Sequence, residues 1–177
     1  KVQSRAMMCL GLDKLIDPSD AFIVGVVGRN QPRKRIDLAI EYFAEWIHRY
    51  NVDDAYLYLY VAPTGETGCD IRSLVNYHGI SGRVILNEPD IGRGNDESVM
   101  SYVYSAFDVY LSTSQAEGWN LCLLEALACA VASIVPDFAA TSSNGGWTGK
   151  RNENVIHIDC PTHALTAPLN NRPYTIG

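Results

Sequence analysis

"FDVYLSTSQAEGWNLCLLEALACAVASIVP", residues 107–136, contains a β-rich run, a polar turn, an apolar helical run and a second β-rich run in immediate succession. The spacing predicts a strand over 107–113, a helix over Trp119–Cys129 and a strand over 131–136. A strand, a helix and a strand this closely joined make a unit of a parallel sheet. The helix poses a chemical problem, because Glu125 lies among Leu121, Leu124, Ala128 and Cys129. A carboxylate is costly to bury without a partner, and a second one, Glu117, stands at the head of the same segment. A helix starting at Gly118 places Glu125 roughly 10–12 Å along the axis, too far for both carboxylates to grip one atom. Two grips on an elongated ligand remain possible, as does a capping Glu117 beside a solvated Glu125. The packing of apolar neighbours around Glu125 argues against plain exposure.

Working outward, the same alternation continues in both directions. "AFIVGVVG" (21–28) reads as a buried strand and "IDLAIEYFAEWIHRY" (36–50) as a helix, with Ile36, Ile40, Phe43, Ile47 and Tyr50 on one face. "AYLYLYVA" (55–62) is a tyrosine-rich strand, Asp70–Tyr77 a short helix ended by Gly79, and "RVILNE" (83–88) a third strand. "NDESVMSYVYSA" (95–106) opens on good capping residues and reads as a helix. "NVIHID" (154–159) completes about six strands. The expected fold is α/β, a Rossmann-like parallel sheet covered by helices on both faces. Residues 1–20 read as a lead-in helix ("SRAMMCLGL") and a turn ("DPSD"), and 161–177 as coil or a tail.

Bulk properties narrow the function classes. The chain has 177 residues and 47% hydrophobic content, enough for one well-cored domain and against disorder. A net charge of -6 argues against a general nucleic-acid binder while permitting a local basic site. Cys9, Cys69, Cys122, Cys129 and Cys160 are scattered and odd in number, which suits a reducing cytoplasm. They form no CxxC pair, and with four histidines this argues against a zinc site. No apolar run approaches the roughly 18 residues of a membrane span, and no signal peptide is evident. The start at Lys1 suggests a piece of a longer protein.

In doubly wound sheets ligands bind beyond the carboxyl ends of the strands, so the loops carry the functional argument. "GRNQPRKR" (28–35) follows the first strand and concentrates Arg29, Arg33, Lys34 and Arg35 in an acidic chain. A basic loop entering a helix N-terminus suits a phosphate, although a solvated basic patch would read the same. The loop is neither a Walker loop nor a GxGxxG turn.

The two loops together resemble the carboxyl-terminal, donor-binding domain of the retaining GT-B glycosyltransferases (group 1, family 4-like). "VGRNQPRKR" resembles that family's G-R-x-x-x-x-K-[GR] loop, and "EGWNLCLLEALACA" its E-G-[FW]-G-L-x-x-[LV]-E-A-x-A-x-G segment, with the E-x7-E spacing kept by Glu117 and Glu125. "FDVYLSTSQAEG" resembles the strand leading into it, so the likeness spans about residues 5 to 137. It implies one half of a GT-B fold, with 1–160 as the nucleotide-sugar-binding domain and the amino-terminal acceptor domain absent. Arg29 and Lys34 would then neutralise the diphosphate of a UDP- or GDP-linked sugar. Glu117, as the catalytic-site acid, would hold hydroxyls of the transferred sugar. Gly118, Trp119, Asn120 and Leu121 would contact sugar and diphosphate, and Glu125 the ribose. Transfer would proceed with retention, without cofactor or metal, in keeping with the lack of a D-x-D motif. The acceptor (glycan, lipid or protein) and any membrane association would belong to the missing half, without which the chain would be inactive.

Asn120 and Ala130 stand where the family has glycine, and Ala132 where it usually has proline. Asn tolerates the left-handed backbone such a turn needs. No histidine matches a catalytic motif. The competing expectations are a non-catalytic nucleotide-sugar-binding or scaffold fragment and an NAD-binding oxidoreductase domain. The latter lacks its glycine-rich first turn and the acid that should end the second strand.

Overall fold

The fold is known from a computed structural model. The residues it describes are 20–61, 67–87, 97–142, 154–159, 164–169 and 172–176, the last two stretches as backbone. The lead-in helix expected over residues 1–19, Cys9, Cys160, His163 and the loop after Asn87 lie outside them.

Six parallel strands form the sheet: β1 (Phe22–Val27), β2 (Ala55–Tyr60), β3 (Val84–Asn87), β4 (Val109–Leu111), β5 (Ala132–Pro136) and β6 (Val155–Ile158). Their order is β3-β2-β1-β4-β5-β6. Between them run α1 (Ile36–Tyr50), α2 (Ile71–Tyr77), α3 (Glu97–Ser105) and α4 (Leu121–Ala128). The expected Rossmann-like α/β sheet is therefore the observed one.

The alternation of side chains along each strand divides the core into two layers. β2 shows why its run is apolar throughout: all six residues are buried. Tyr56, Tyr58 and Tyr60 pack in one layer with Tyr110, with Val103, Tyr104 and Phe107 from α3 and the turn after it, and with Leu123 and Ala126 of α4. Leu57 and Leu59 enter the other layer with Ile36, Ile40, Phe43 and Ile47 of α1 and Ile71 and Val75 of α2. One layer thus holds a cluster of aromatic rings, whereas the buried residues of the other are aliphatic apart from Phe43.

Local chemistry explains the helix ends. Asp70 caps α2 by accepting from the Ser73 amide at 3.0 Å. Tyr50, expected on the buried face of α1, is 67% exposed. It is the helix's last residue, and the chain turns away at Asn51 (φ 51°) before that face reaches the sheet again. The tail expected to be coil contains a β-hairpin, β7 (Ala164–Leu169) paired antiparallel with β8 (Arg172–Ile176). Its strands include Thr, Ile and Tyr, a strand signal that prolines 168 and 173 obscured.

Candidate functional site

β1 and β4 are hydrogen-bonded neighbours, with Val24 opposite Val109 and Gly25 opposite Tyr110. From β1 the chain turns through α1 to β2 on one side, and from β4 through α4 to β5 on the other. The strand order reverses at this point, and the loops leaving it diverge to form the crevice where ligands bind in such sheets. Those loops, residues 28–35 and 112–120, are the two that the sequence marks as chemically distinctive.

They are joined along their length. The Thr113 hydroxyl donates to the carbonyls of Lys34 (3.1 Å) and Arg35 (2.7 Å). The Ser114 hydroxyl and the Gln115 amide both donate to the Arg33 carbonyl, at 3.2 and 2.8 Å. Arg33 Nη1 donates to the Ala116 carbonyl (2.8 Å) and to Glu117 Oε2 (3.2 Å). Lys34 Nζ donates to Glu117 Oε1. The Lys34 and Glu117 side chains are only 13% and 10% exposed, so this charge cluster is largely withdrawn from solvent. Burial pushes the Glu117 carboxyl pKa up. The hydrogen bond and charge of Lys34, with Ser114 and Arg33, outweigh it and hold the carboxyl below its ordinary value.

The expected site residues thus divide. Lys34 and Glu117 are brought into contact. Arg29 is exposed on the same loop, outside that cluster. Gly118, Trp119 and Leu121 are exposed at the mouth of the crevice. Asn120 is buried in the left-handed conformation (φ 56°, ψ 66°) expected for a residue standing in for glycine. Among the described residues neither Nδ2 nor Oδ1 of its carboxamide has a hydrogen-bond partner. Because Asn120 is not helical, α4 begins at Leu121, two residues later than expected. Glu125 accordingly sits about 6 Å along the axis from the helix start. It is exposed rather than buried among its apolar neighbours, yet its Oε2 accepts from the Tyr104 hydroxyl at 2.6 Å. Glu117 does not cap α4; that position belongs to Asn120.

Three contributors were not singled out by sequence reasoning. Arg33 stood among four cations with nothing to distinguish it, and it ties the loops together. Asn30, buried, exchanges two hydrogen bonds with Cys69 across the loop after β2: Nδ2 donates to the carbonyl (2.7 Å) and Oδ1 accepts from the amide (3.1 Å). Gly68 is required there, because a Cβ would lie 2.3 Å from the Asn30 side chain. The third is Tyr104. Arg35, by contrast, precedes α1 and is paired to Asp37 of its first turn at 2.9 Å. Among the described residues no group of three or more His, Cys, Asp or Glu side chains could hold a metal ion. No described helix is long and apolar enough to cross a membrane.

Comparison with known proteins matches residues 21–159 to the family model described as Glycosyl transferases group 1. Among solved structures the chain is similar to a sucrose-phosphate synthase from Thermosynechococcus elongatus, at 23% identity and a TM-score of 0.68, covering 92% of this chain and 36% of that one. A glycosyltransferase from Rickettsia africae aligns at 15% identity and a TM-score of 0.65, covering 89% and 38%. The carboxyl-terminal domain of a glycosyl transferase group 1 family protein from Francisella tularensis aligns at 20% identity and a TM-score of 0.58, covering 80% and 69%. The chain therefore spans little more than a third of the length of the first two. A search of curated proteins finds no match.

Proposed function

The chain belongs to the glycosyl transferases group 1 family, and we propose that it is the donor-binding half of a retaining GT-B enzyme that takes a UDP- or GDP-linked sugar. The observation that carries this reading is the contact of Lys34 with Glu117 at the β1/β4 switch point. It places a cation and a carboxylate side by side where a sugar diphosphate needs one of each. The likeness to a carboxyl-terminal domain supports the position within a longer protein.

In this reading Arg29 and Lys34 bind the diphosphate, with first-turn amides of α4 adding N–H donors that lack intrahelical partners. Glu117 accepts hydrogen bonds from the sugar, and Glu125 from the ribose. During transfer the bond from the anomeric carbon to the phosphate oxygen breaks, one to an acceptor hydroxyl oxygen forms on the same face, and the hydroxyl proton passes to the departing phosphate. Negative charge then accumulates on the departing nucleoside diphosphate. Preorganised cations in a partly dry crevice stabilise that charge more than water would. Lys34 is paired with Glu117, and a bound diphosphate would share that cation, freeing the carboxylate for sugar hydroxyls. The acceptor, and any contact with a membrane, belong to the other half of the enzyme. The alternative reading is a non-catalytic nucleotide-sugar-binding domain.

Thermal shift and calorimetry with UDP-glucose, GDP-mannose and NAD test the proposal. At least one sugar nucleotide should raise the melting temperature, through binding to the folded state, and NAD should not. Arg29→Ala and Lys34→Ala should each weaken that binding at least tenfold. NAD binding without sugar-nucleotide binding, or parental affinity in both variants, would overturn the assignment. Sugar transfer after reconstitution with an upstream domain separates enzyme from scaffold.

A further inference from the structure

Glu125 is held by a side chain to which the family motifs give no part. Tyr104, on α3, is 1% exposed and packs edge-on to Phe107 (centroids 5.9 Å) and Tyr110 (6.3 Å) in the aromatic layer. From that fixed ring the hydroxyl donates to Glu125 Oε2 at 2.6 Å, the length of a charge-assisted O–H···O bond. Burial, with Cys122 and Glu125 nearby, drives the Tyr104 pKa far up, so the phenol stays protonated and remains a donor.

A long, exposed carboxylate on a helix surface ordinarily samples several rotamers. A donor immobilised by core packing selects among them by holding one oxygen. The other oxygen, and the solvent-side lone pairs, are left for outside donors. Sugar hydroxyls are donors of that kind, and a carboxylate already oriented loses less entropy on binding them. We propose that Tyr104 is a positioning residue for nucleoside recognition, orienting the Glu125 carboxylate toward the hydroxyls of a ribose. The inference rests on the reading of Glu125 as the ribose-binding residue. A phenol that merely satisfied its own hydrogen bond would be indifferent to the ligand's hydroxyls, and this separates the two roles.

The test is calorimetric titration of the 177-residue chain with UDP and GDP and with their 2′-deoxy counterparts. The parent should prefer the ribose form about tenfold, the size expected of a hydrogen bond to a charged group. Tyr104→Phe should reduce that preference to below threefold while changing affinity for the 2′-deoxy form less than twofold. Melting curves confirm that the variant is folded; if it is not, Tyr104→Met, which also lacks the hydroxyl, takes its place. Parental ribose preference in the variant, or equal loss for both forms of the nucleotide, overturns the positioning role. A parent without ribose preference, or a Glu125→Gln variant that keeps it, instead overturns the ribose reading of Glu125, and the proposal with it.

Discussion

Glu117 sits where two requirements meet. A carboxylate only 10% exposed must be neutralised to be stable, and Lys34 and Arg33 do this. Because its folded pKa is depressed, the carboxylate contributes stability that is complete above the ordinary glutamate range and is lost as pH falls through the lower folded value. Glu117→Gln removes that contribution and leaves Lys34 facing a neutral amide. The variant should be less stable by about 2 kcal/mol at pH 7, below the full cost of stranding a wholly buried charge. Its stability should also vary less with pH across the acid window. Urea titrations of both chains between pH 3 and 7 measure the difference; parallel pH profiles would show that Glu117 is not neutralised by this cluster.

At the scale of the element, α4 is shaped at both ends by residues in left-handed backbone. Asn120 at its start has φ 56°, and Ala130 beyond its end also has φ 56°. At the exit the Val131 amide bonds to the Ala126 carbonyl (3.0 Å) and the Ala130 amide to the Leu127 carbonyl (2.9 Å). This is the Schellman pattern, in which the left-handed position is usually glycine. The exit of α2 repeats the pattern with glycine: Ile80 to Val75, Gly79 to Asn76, and Gly79 at φ 69°. Non-glycine residues pay about 1–2 kcal/mol for this conformation, and glycine's greater unfolded freedom offsets up to about 1 kcal/mol of the gain. Ala130→Gly should therefore stabilise the chain by about 0.5–1 kcal/mol, and Gly79→Ala should destabilise it by a similar amount. Among the described residues a Cβ at Gly79 meets nothing within 4 Å, so backbone strain decides that second case. Chemical denaturation of both variants checks the pair, and a destabilised Ala130→Gly would contradict the geometry.

At the scale of the whole molecule, the switch point depends on a close approach in the core beneath it. Gly25 lies between Tyr58 on β2 and Tyr110 on β4, and the Phe107 ring covers it. A Cβ at Gly25 would fall 2.1–2.3 Å from three atoms of that ring. Phe107 is 1% exposed and tilted against Tyr58 at 5.4 Å, so it has nowhere to retreat. Gly25→Ala should cost about 3 kcal/mol, the upper range of overpacking. Adding Phe107→Leu should recover part of the loss relative to the sum of the single changes, since the two sites are in contact. Full stability of Gly25→Ala would show that the ring does not pack there.

Apart from the β7–β8 hairpin in the stretch expected to be coil, element types and their order were legible from local signals. The 3.6-residue period of Ile36, Ile40, Phe43 and Ile47, the Asp70 cap and Gly79 stop, and the β-branched runs all act within a few residues. The two loops also stood out locally, because a basic turn and a carboxylate at fixed spacing are properties of short stretches. The exceptions were local as well. Tyr50 keeps the period of α1 but falls where the helix has already left the sheet, and Asn120's left-handed backbone delays α4. Only the tertiary structure placed β1 beside β4 and so brought Lys34 against Glu117, 83 residues apart. The same holds for Asn30 with Cys69, 39 apart, and Tyr104 with Glu125, 21 apart. Periodicity records which face of an element is buried, not which element buries it. Those partners follow from the strand order, a choice made by packing the aromatic and aliphatic layers of the whole sheet at once.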